Sequence, residues 1–439
     1  MSPENLLQAA ATERLITPAR NIEGSLRLPG DKSISHRYAL LGGLASGTTK
    51  LENFSTGADC ASSLGCVEAM GAQVTRRSDG GVEITGTGGQ FQASAAALDC
   101  GNSGSTMRML AGLLAAQPGN FTLVGDASLS RRPMERIRKP LGQMGARIEL
   151  TDGHAPIRIE GTALRGIDYT TPIPSAQVKT ALLFAGLQAQ GTTMVHEAVR
   201  TRDHGELALR AFGAQVDRSL DAVSIAGGQT LTAIDGVVPG DISSAAFFLC
   251  AAALFPGSNL IFDALGLNPT RATLLDVLTA LGAHIGVLNL EDKNGELVGT
   301  VQVNAPPQGM TGTTISGALS AQLIDELPVL AAIGPYTQNG IRIRDAKELR
   351  VKESDRIALV AANLRAMGAQ VEEFEDGLDV AGGQTLHGAE IDSGGDHRIA
   401  MAFSVAALRA NGETLIRGAE SAAISFPEFF DLLERVAVR

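Results

Sequence analysis

The stretch PGDKSISHRYALLGGLASG, residues 29–47, leads from a polar loop into an apolar helix pattern and ends in a glycine turn. The same arrangement recurs along the chain, and in each copy an Ala- and Leu-rich segment lies between a polar loop and a Gly or Asn turn. The other copies begin at Cys100, Pro172, Pro239, Ile324 and Gly394. Because a helix that is apolar on every side must be buried, the sequence predicts six buried helices.

A second recurring phrase marks where another helix ends and a strand begins. Each copy follows an apolar-periodic stretch, carries a glycine and precedes an alternating, β-branched stretch, as expected of a helix with a glycine cap. The copies are AMGAQV at 69–74, QMGARI at 143–148, AFGAQV at 211–216, ALGAHI at 280–285 and AMGAQV at 366–371. The pattern predicts six α/β units, the sixth cut short soon after a helix pattern at 427–435.

Composition and charge narrow the class of protein. The chain has 439 residues, 44% of them hydrophobic, which is enough for two or more domains, and its formal net charge of −11 disfavours nucleic acid as a partner. Its longest apolar run, residues 245–256, is about half of what a membrane helix requires, and Glu4 and Glu13 do not fit an export signal. Four cysteines without C-x-x-C spacing indicate a reducing cytoplasm, buried thiols and no zinc site. We therefore expect a soluble, cytoplasmic protein that binds neither nucleic acid nor membrane.

The polar residues of the six buried helices crowd at their N-terminal ends, where free backbone N–H groups and the helix dipole favour anions. In the opening stretch, Ser33 and Arg37 share a helix face, and Lys32 lies at its start. A nucleotide-binding P-loop is disfavoured because Asp31 stands where its second glycine belongs. The simpler alternative is a serine helix cap with solvated basic residues.

Basic or small polar residues open other helix patterns as well. The segments are GNSGSTMR at 101–108, SRRPM at 130–134, PSAQVK at 174–179, TRDH at 201–204, LRVKESDR at 349–356 and DHR at 396–398. Lys352 and Arg356 are four residues apart, so on one helix face they would repel each other unless Glu353 or an anion lay between them. So many basic loops in an acidic protein favour a ligand with several negative charges over unrelated solvated patches.

From about residue 20 to its C-terminus the chain resembles the 5-enolpyruvylshikimate-3-phosphate (EPSP) synthase family. The resemblance rests on PGDKSISHR, GNSGSTMR, SRRPM, PSAQVKTA, TRDH, IDELP, LRVKESDR, DHRIAM and SFPEF, which follow one another in the family's order. It implies a transferase of the shikimate pathway that joins the enolpyruvyl group of phosphoenolpyruvate to the 5-hydroxyl of shikimate 3-phosphate and releases phosphate. It also implies a monomer that needs no metal and no cofactor.

The resemblance further implies an α/β fold of two globes. Each globe would contain three repeated units around buried parallel helices, with the active site in the cleft between the globes. We expect a continuous lobe at residues 30–238 and a discontinuous lobe made of residues 1–29 and 239–439. The Pro-Gly-Asp turns at both boundaries would form a hinge that closes on the ligands.

Matching positions give the site residues that the resemblance implies. For shikimate 3-phosphate they are Lys32, Ser33, Arg37, Ser175, Ala176, Gln177, Arg202, Asp325 and Lys352. For phosphoenolpyruvate they are Lys32, Asn102, Gly104, Arg132, Gln177, Arg356 and Arg398. Catalysis would fall to Lys32, Asp325 and Glu353, because the acceptor hydroxyl must lose a proton while C3 of the donor gains one and later loses one.

Several of these residues also have a simpler structural interpretation. Asp325 could be a helix N-cap. Lys32 would lie among arginines, an arrangement that disfavours its ammonium form. His36 and His397 are expected to be packing or hydrogen-bonding groups, although His397 could line the phosphoenolpyruvate site.

Two features concern the branch of the family and the alternatives to it. Ile424 stands where some members have a lysine that contacts phosphoenolpyruvate, and with SRRPM and GDASL this resembles the class II branch. Gly104 is the small residue associated with glyphosate-sensitive members, so the response to glyphosate stays open. The alternative functions are a sister enolpyruvyl transferase acting on UDP-N-acetylglucosamine and a non-catalytic repeat scaffold that binds anions. Ser33 and the SRRPM loop disfavour the first, and Asp325 and Glu353 would have no purpose in the second.

Overall fold

The computed structural model describes residues 12–94 and 96–439. The chain divides into two compact units, each with its own hydrophobic core. The N-terminal unit contains Pro29–Pro239 together with Asp292–Glu296, and the C-terminal unit contains the described residues up to Leu28, Gly240–Glu291 and Leu297–Arg439. Residues 1–11, which belong to the expected discontinuous lobe, lie outside the described residues.

The helices alternate with strands along the chain. In order they are α1 Lys32–Leu44, α2 Ala58–Ala69, α3 Gly104–Leu114, α4 Glu135–Gln143, α5 Ala176–Gly186, α6 His204–Ala211, α7 Ile242–Leu254, α8 Thr273–Ala280, α9 Ala318–Gln322, α10 Leu327–Ile333, α11 Arg356–Ala366, α12 His397–Ala407 and α13 Phe429–Val436. Short 3₁₀ turns occupy Leu129–Arg131, Gly334–Tyr336, Lys347–Val351 and Ala419–Ile424. None of the helices in the described part of the chain combines the length and the apolar character that crossing a membrane requires.

The strands run from two to ten residues, and the two longest, His284–Lys293 and Glu296–Asn304, follow each other in the chain. In order they are β1 Glu13–Ile16, β2 Asn21–Arg27, β3 Thr48–Glu52, β4 Gln73–Arg76, β5 Val82–Thr85, β6 Leu98–Asp99, β7 Asn120–Val124, β8 Arg147–Thr151, β9 His154–Glu160, β10 Asp168–Thr170, β11 Thr192–His196, β12 Val216–Arg218, β13 Ala222–Ala226, β14 Asp235–Val237, β15 Asn259–Gly266, β16 His284–Lys293, β17 Glu296–Asn304, β18 Thr313–Ile315, β19 Ile341–Ile343, β20 Val371–Phe374, β21 Gly377–Val380, β22 Glu390–Asp392, β23 Thr414–Arg417 and β24 Ala437–Val438.

Within the described residues these strands form six sheets, which confirms the predicted number of repeated units. The orders are β14-β3-β5-β4, β6-β7-β9-β8, β10-β11-β13-β12, β16-β17-β15-β2-β24, β18-β19-β21-β20 and β1-β23-β22. Every sheet contains one parallel pair, such as β10 with β11, to which an antiparallel strand is added. The sixth unit, which the sequence predicts to be cut short, is completed by β1 from the start of the chain, paired antiparallel to β23.

The six predicted buried helices are α1, α3, α5, α7, α10 and α12. All 13 residues of α7 are buried, and the four cysteines are buried and free. The outer helices end at the predicted glycines; Gly71, Gly145, Gly213, Gly282 and Gly368 all have φ between 88° and 104°. At Gly71 the chain closes a Schellman turn, because Gly71 N–H bonds the Glu68 carbonyl and Ala72 N–H bonds the Val67 carbonyl, both at 3.1 Å.

One glycine sets the distance between two buried helices of the N-terminal unit. A Cβ atom added at Gly112 of α3 would lie 2.1 Å from the backbone oxygen of Ala181 in α5. The two backbones therefore pack directly against each other. Their N-terminal loops, which begin at Asn102 and Ser175, are brought close together as a result.

Candidate active site

The residues proposed to bind ligand lie at or near the N-terminal ends of helices, and capping side chains fix several of these loops. Asp31 caps α1 by accepting a hydrogen bond from Ile34 N–H at 3.0 Å. The alternative in which a serine caps this helix is therefore wrong, and Ser33 lies inside the first turn. Ser103, Ser175 and Asp396 cap α3, α5 and α12 in the same way.

Lys32 faces an acid that the sequence analysis did not identify. Its Nζ atom lies 2.7 Å from Asp59 Oδ2, and the two side chains are 19% and 8% exposed. Asp59 is in the first turn of α2, after Gly57 at the N-cap. Lys32 thus has an acidic partner, whereas the sequence predicted only basic neighbours.

A chain of buried side-chain hydrogen bonds connects α1, α2 and α3 near their N-terminal ends. His36 Nδ1 lies 2.8 Å from Ser63 Oγ, Ser63 Oγ lies 2.7 Å from Thr106 Oγ1, and Thr106 Oγ1 donates to Ser103 Oγ at 2.8 Å. Burial, together with the charges of Lys32 and Arg37, lowers the pKa of His36 well below its ordinary value. His36 is thus a neutral hydrogen-bonding group at neutral pH.

Arg37 is almost completely buried, and its guanidinium group is bonded within the protein. Only 3% of the residue is exposed; it donates to the Ser33 carbonyl at 2.8 Å and to Thr180 Oγ1 at 3.0 Å. Burial lowers the pKa of its guanidinium to about 10, while Glu206 acts in the opposite direction. Arg37 therefore stays protonated and stabilises the first turn of α1, which carries Lys32 and Ser33.

Two arginines converge on Gly104 at the start of α3. A Cβ atom added to Gly104 would lie 2.9 Å from Arg108 Nη1 and 3.4 Å from Arg132 Nη1. Arg132 donates to Asn102 Oδ1 at 2.7 Å, and the Asn102 amide donates to Asp126 at 2.7 Å. A helix N-terminus with two guanidinium groups and no side chain between them is suited to a carboxylate or a phosphate.

Gln177 connects this arginine pair to α5. Its amide oxygen accepts from Arg108 Nη1 at 2.7 Å, and its amide nitrogen donates to Ser105 Oγ at 2.9 Å. Arg108 follows the glycine loop in the sequence but was not among the predicted site residues. The structure thus groups the predicted Asn102, Gly104, Arg132 and Gln177 around a further arginine.

The first turn of α5 contributes a second set of polar groups. Ser175 Oγ accepts from Val178 N–H at 3.4 Å and so caps the helix. Ser175, Ala176 and Arg202 are all partly exposed. Arg202 follows Thr201 in the loop before α6, and it is close enough to Arg37 to act on it electrostatically.

In the C-terminal unit, one carboxylate is surrounded by basic groups. The Asp325 side chain lies 3.7 Å from Arg356 Nη1, 3.8 Å from Arg398 Nη2 and 3.9 Å from Lys352 Nζ. Arg398 also donates to the Asp325 backbone carbonyl at 2.7 Å. The N-cap of α10 is Glu326, so the interpretation of Asp325 as a helix cap is wrong.

Arg356 is the centre of this group and is 1% exposed. It bonds Glu353 Oε2 at 2.6 Å and Asp396 Oδ2 at 2.8 Å. Although burial favours neutral forms, Asp396 and Glu353 raise the pKa of Arg356, and Arg356 in turn holds the pKa of Asp396 below its ordinary value. The neighbouring His397 is buried, at 1% exposure.

Lys352 and Arg356 do not share a helix face, because α11 begins only at Arg356. The expected repulsion along one face is instead offset by acids, because Asp325 lies near both groups while Glu353 and Asp396 bond Arg356. Burial of the ammonium group lowers the pKa of Lys352, although 27% of the side chain is exposed. Asp325 and Glu353 act in the opposite direction.

Asp59 is the clearest functional candidate that sequence reasoning missed. Its only sequence signal is an acid placed in a first helical turn, which is common on any surface helix. Lys179 had a stronger signal, since a lysine inside an otherwise apolar, buried helix requires a buried acid partner. Within residues 12–94 and 96–439, His, Cys, Asp and Glu side chains form no group of three or more that could hold a metal ion.

Comparisons with known proteins all match the same family. The family model described as EPSP synthase (3-phosphoshikimate 1-carboxyvinyltransferase) matches residues 16–433. A 3-phosphoshikimate 1-carboxyvinyltransferase of Koribacter versatilis is 65% identical over 97% of this chain and 99% of its own length. One from Solibacter usitatus is 52% identical over 97% of this chain and 100% of its own. The solved EPSP synthase from Acinetobacter baumannii superposes with a TM-score of 0.85 at 40% identity, covering 97% of this chain and 98% of the other.

Proposed function

Because the chain belongs to the EPSP synthase (3-phosphoshikimate 1-carboxyvinyltransferase) family, we propose that it transfers the enolpyruvyl group of phosphoenolpyruvate to the 5-hydroxyl of shikimate 3-phosphate and releases phosphate. The observation that carries the proposal is the position of the Asp325 carboxylate. It lies within 3.9 Å of three basic groups. Asp325 itself is in the loop before α10, two residues after Leu323. A carboxylate among basic groups can bind a reacting hydroxyl while those basic groups bind a phosphate or carboxylate.

The acceptor is assigned mainly to the N-terminal unit. Ser33 and Arg37 take the shikimate carboxylate, and Ser175, Ala176 and Arg202, with Lys352, take the 3-phosphate. Gln177 lies against the ring, and Asp325 meets the 5-hydroxyl. The capped first turns of α1 and α5 support this assignment, because they offer hydroxyl and backbone donors beside basic side chains.

The donor is assigned to the arginines. Arg132, Asn102 and Gly104 in one unit, and Arg356 and Arg398 in the other, bind the phosphate and carboxylate of phosphoenolpyruvate. Support comes from Gly104, which leaves the space in front of Arg108 and Arg132 open. Further support comes from Arg356 Nη1, which makes no hydrogen bond within the described residues.

The reaction proceeds by addition and elimination. The acceptor oxygen bonds to C2 of phosphoenolpyruvate as its proton passes to a base, while a proton adds to C3 and gives a tetrahedral adduct. Phosphate then leaves C2 as C3 loses a proton, which restores the double bond. Asp325 is the partner of the reacting hydroxyl. Glu353 donates the proton to C3 and later accepts one from it, and Lys32 is the third residue that takes part in proton transfer.

A phosphate-release assay tests the proposal and separates it from the alternatives. Purified protein is given phosphoenolpyruvate with shikimate 3-phosphate, with UDP-N-acetylglucosamine, or with no acceptor. We expect release only with shikimate 3-phosphate. Release with the nucleotide sugar alone would identify the sister transferase, and no release with either acceptor would favour a binding scaffold.

The proposal includes a cytoplasmic monomer. The four free, buried cysteines are typical of a protein kept in a reducing compartment. Light scattering of the purified chain, with a mass of 45.5 kDa expected for one copy, checks the oligomeric state.

A further inference from the structure

A buried ionic cluster lies one helical turn inside the N-terminus of α5, and the reaction does not use it. Lys179 is fully buried, and its Nζ atom lies 2.9 Å from Glu197 Oε2 and 2.9 Å from Glu206 Oε1. Arg218 joins the same two acids, at 2.7 Å from Glu206 and 3.6 Å from Glu197. Burying charges costs desolvation free energy, and an apolar core of equal size would avoid this cost. Stability alone therefore does not explain the cluster.

The cluster holds the loop that precedes α6. The Glu197 carboxylate accepts from Thr201 N–H at 3.1 Å and from the Thr201 hydroxyl. Lys179 Nζ donates to the Thr201 carbonyl oxygen at 3.5 Å. All three polar groups of Thr201 are thus bonded to the cluster, and Arg202 is the next residue.

The same lysine is also tied to the other side of the proposed phosphate site. Lys179 lies four residues after Ser175, on the same face of α5, and its N–H donates to the Ser175 carbonyl at 3.1 Å. One residue therefore connects two segments: the backbone N–H of Lys179 bonds the turn that carries Ser175 and Ala176, and its buried side chain bonds the loop that carries Arg202. With two acids and two bases, the cluster has no net charge of its own to attract an anion.

We propose that Lys179, acting with Glu197, is a positioning residue that sets the spacing between Ser175 and Arg202 and so makes the enzyme select a phosphorylated acceptor. The inference rests on the proposed function, because it takes the ligand of Ser175 and Arg202 to be the 3-phosphate. Lys179 acts through Thr201 and does not touch the ligand, since none of its side chain is exposed.

The test compares two acceptors in three variants. Lys179→Met, Glu197→Gln and Thr201→Val are assayed with shikimate 3-phosphate and with unphosphorylated shikimate. Glu197→Gln keeps the shape of the side chain, and Thr201→Val replaces the hydroxyl with a methyl group of similar size. These two variants therefore test the proposal even if Lys179→Met does not fold. We expect kcat/KM for shikimate 3-phosphate to fall by roughly 10- to 100-fold, mainly through KM, with kcat/KM for shikimate unchanged.

Thr193→Val is the matched control. Thr193 is a fully buried threonine of β11 whose hydroxyl has no hydrogen-bond partner within the described residues, so the change should leave the ratio of the two acceptors unaltered. A second comparison uses Arg202→Ala. If the cluster acts through Arg202, adding Thr201→Val to Arg202→Ala should cause little further loss.

Equal losses with both acceptors, or an unchanged ratio in folded variants, would overturn the positioning role and leave the proposed function intact. The same conclusion would follow if the Thr201→Val and Arg202→Ala effects simply added. Absence of phosphate release by the wild-type protein with shikimate 3-phosphate would instead refute the proposed function, and this inference with it.

Discussion

The ammonium group of Lys32 lies 2.7 Å from the carboxylate of Asp59, and this pair orients the lysine assigned to both substrates. Without the acid, the flexible lysine chain would sample other rotamers and would leave its reactive position for part of the time. We therefore expect Asp59→Asn to lower kcat by roughly 10- to 100-fold in steady-state assays. The control is Asp79→Asn, which removes an acid 2.7 Å from Arg77 on an exposed surface and should leave kcat unchanged. Equal effects of the two changes would contradict an orienting role for Asp59.

Glu353 is expected to carry a proton rather than to bind the acceptor. Its carboxylate lies 2.6 Å from Arg356 and is partly exposed. It can therefore exchange a proton with a reacting carbon without a large movement. In Glu353→Gln the amide keeps the bond to Arg356 but cannot transfer a proton. We expect kcat to fall by about 100-fold or more, while the Kd for shikimate 3-phosphate changes only a few-fold. Calorimetric titration and turnover assays give the two values, and Lys32→Met should show the same separation. Near-normal kcat in either variant would refute the assignment.

His36 should make the folded state sensitive to mild acid. Its pKa is lowered by burial and by Lys32 and Arg37, so the folded protein resists a proton that the unfolded chain accepts near pH 6.5. Stability is therefore lost as the pH falls below about 6.5, by up to about 1.4 kcal/mol per pH unit for this one group.

Urea unfolding at pH 7, 6 and 5 measures the effect. His36→Asn can keep a hydrogen bond to Ser63 but does not titrate, so the difference between wild type and variant isolates the histidine from other groups. We expect the variant to lose less stability over this range. Parallel pH dependences in the two proteins would show that His36 does not titrate as proposed.

Gly112 should be the more sensitive of two helical glycines. A Cβ atom there would lie 2.1 Å from the backbone of Ala181, so Gly112→Ala forces α3 and α5 apart and should destabilise the protein by about 3 kcal/mol. In Gly65→Ala, within α2, the new methyl group meets nothing within 4 Å, and the change should stabilise by roughly 0.5–1 kcal/mol. Thermal unfolding of both variants tests the difference in sign. Similar Tm values would contradict direct packing of the two backbones.

The repeats could be read from the sequence because burial and helix termination leave strong local signals. A helix without a charged face, such as α7, and a glycine with φ near 100°, such as Gly71, each depend on a few neighbouring residues. The pairing of β1 with β23 could not be read, because no local pattern joins strands from opposite ends of a chain.

The candidate site was predictable where a loop motif carries it and unpredictable where a partner comes from another helix. Lys32 stands in the opening motif, but Asp59 reaches it from α2, and only the packing of α1 on α2 brings them together. Lys352 and Arg356 were expected on one helix face because their spacing allows it. The late start of α11, where Asp355 caps the helix, instead lets Asp325 lie within 3.9 Å of both basic groups.

None of the residues assigned to catalysis or to ligand binding lies on a β-strand; all lie in the first two turns of a helix or in the loop before one. In all six sheets, then, the strands supply a frame while the chemistry belongs to a few helix ends. A gene built by duplicating such a unit could lengthen a hairpin, as at β16–β17, or trim one, as in the sheet of β1, β22 and β23, without disturbing the reaction. The frame and the chemistry of this enzyme are thus free to diverge at different rates.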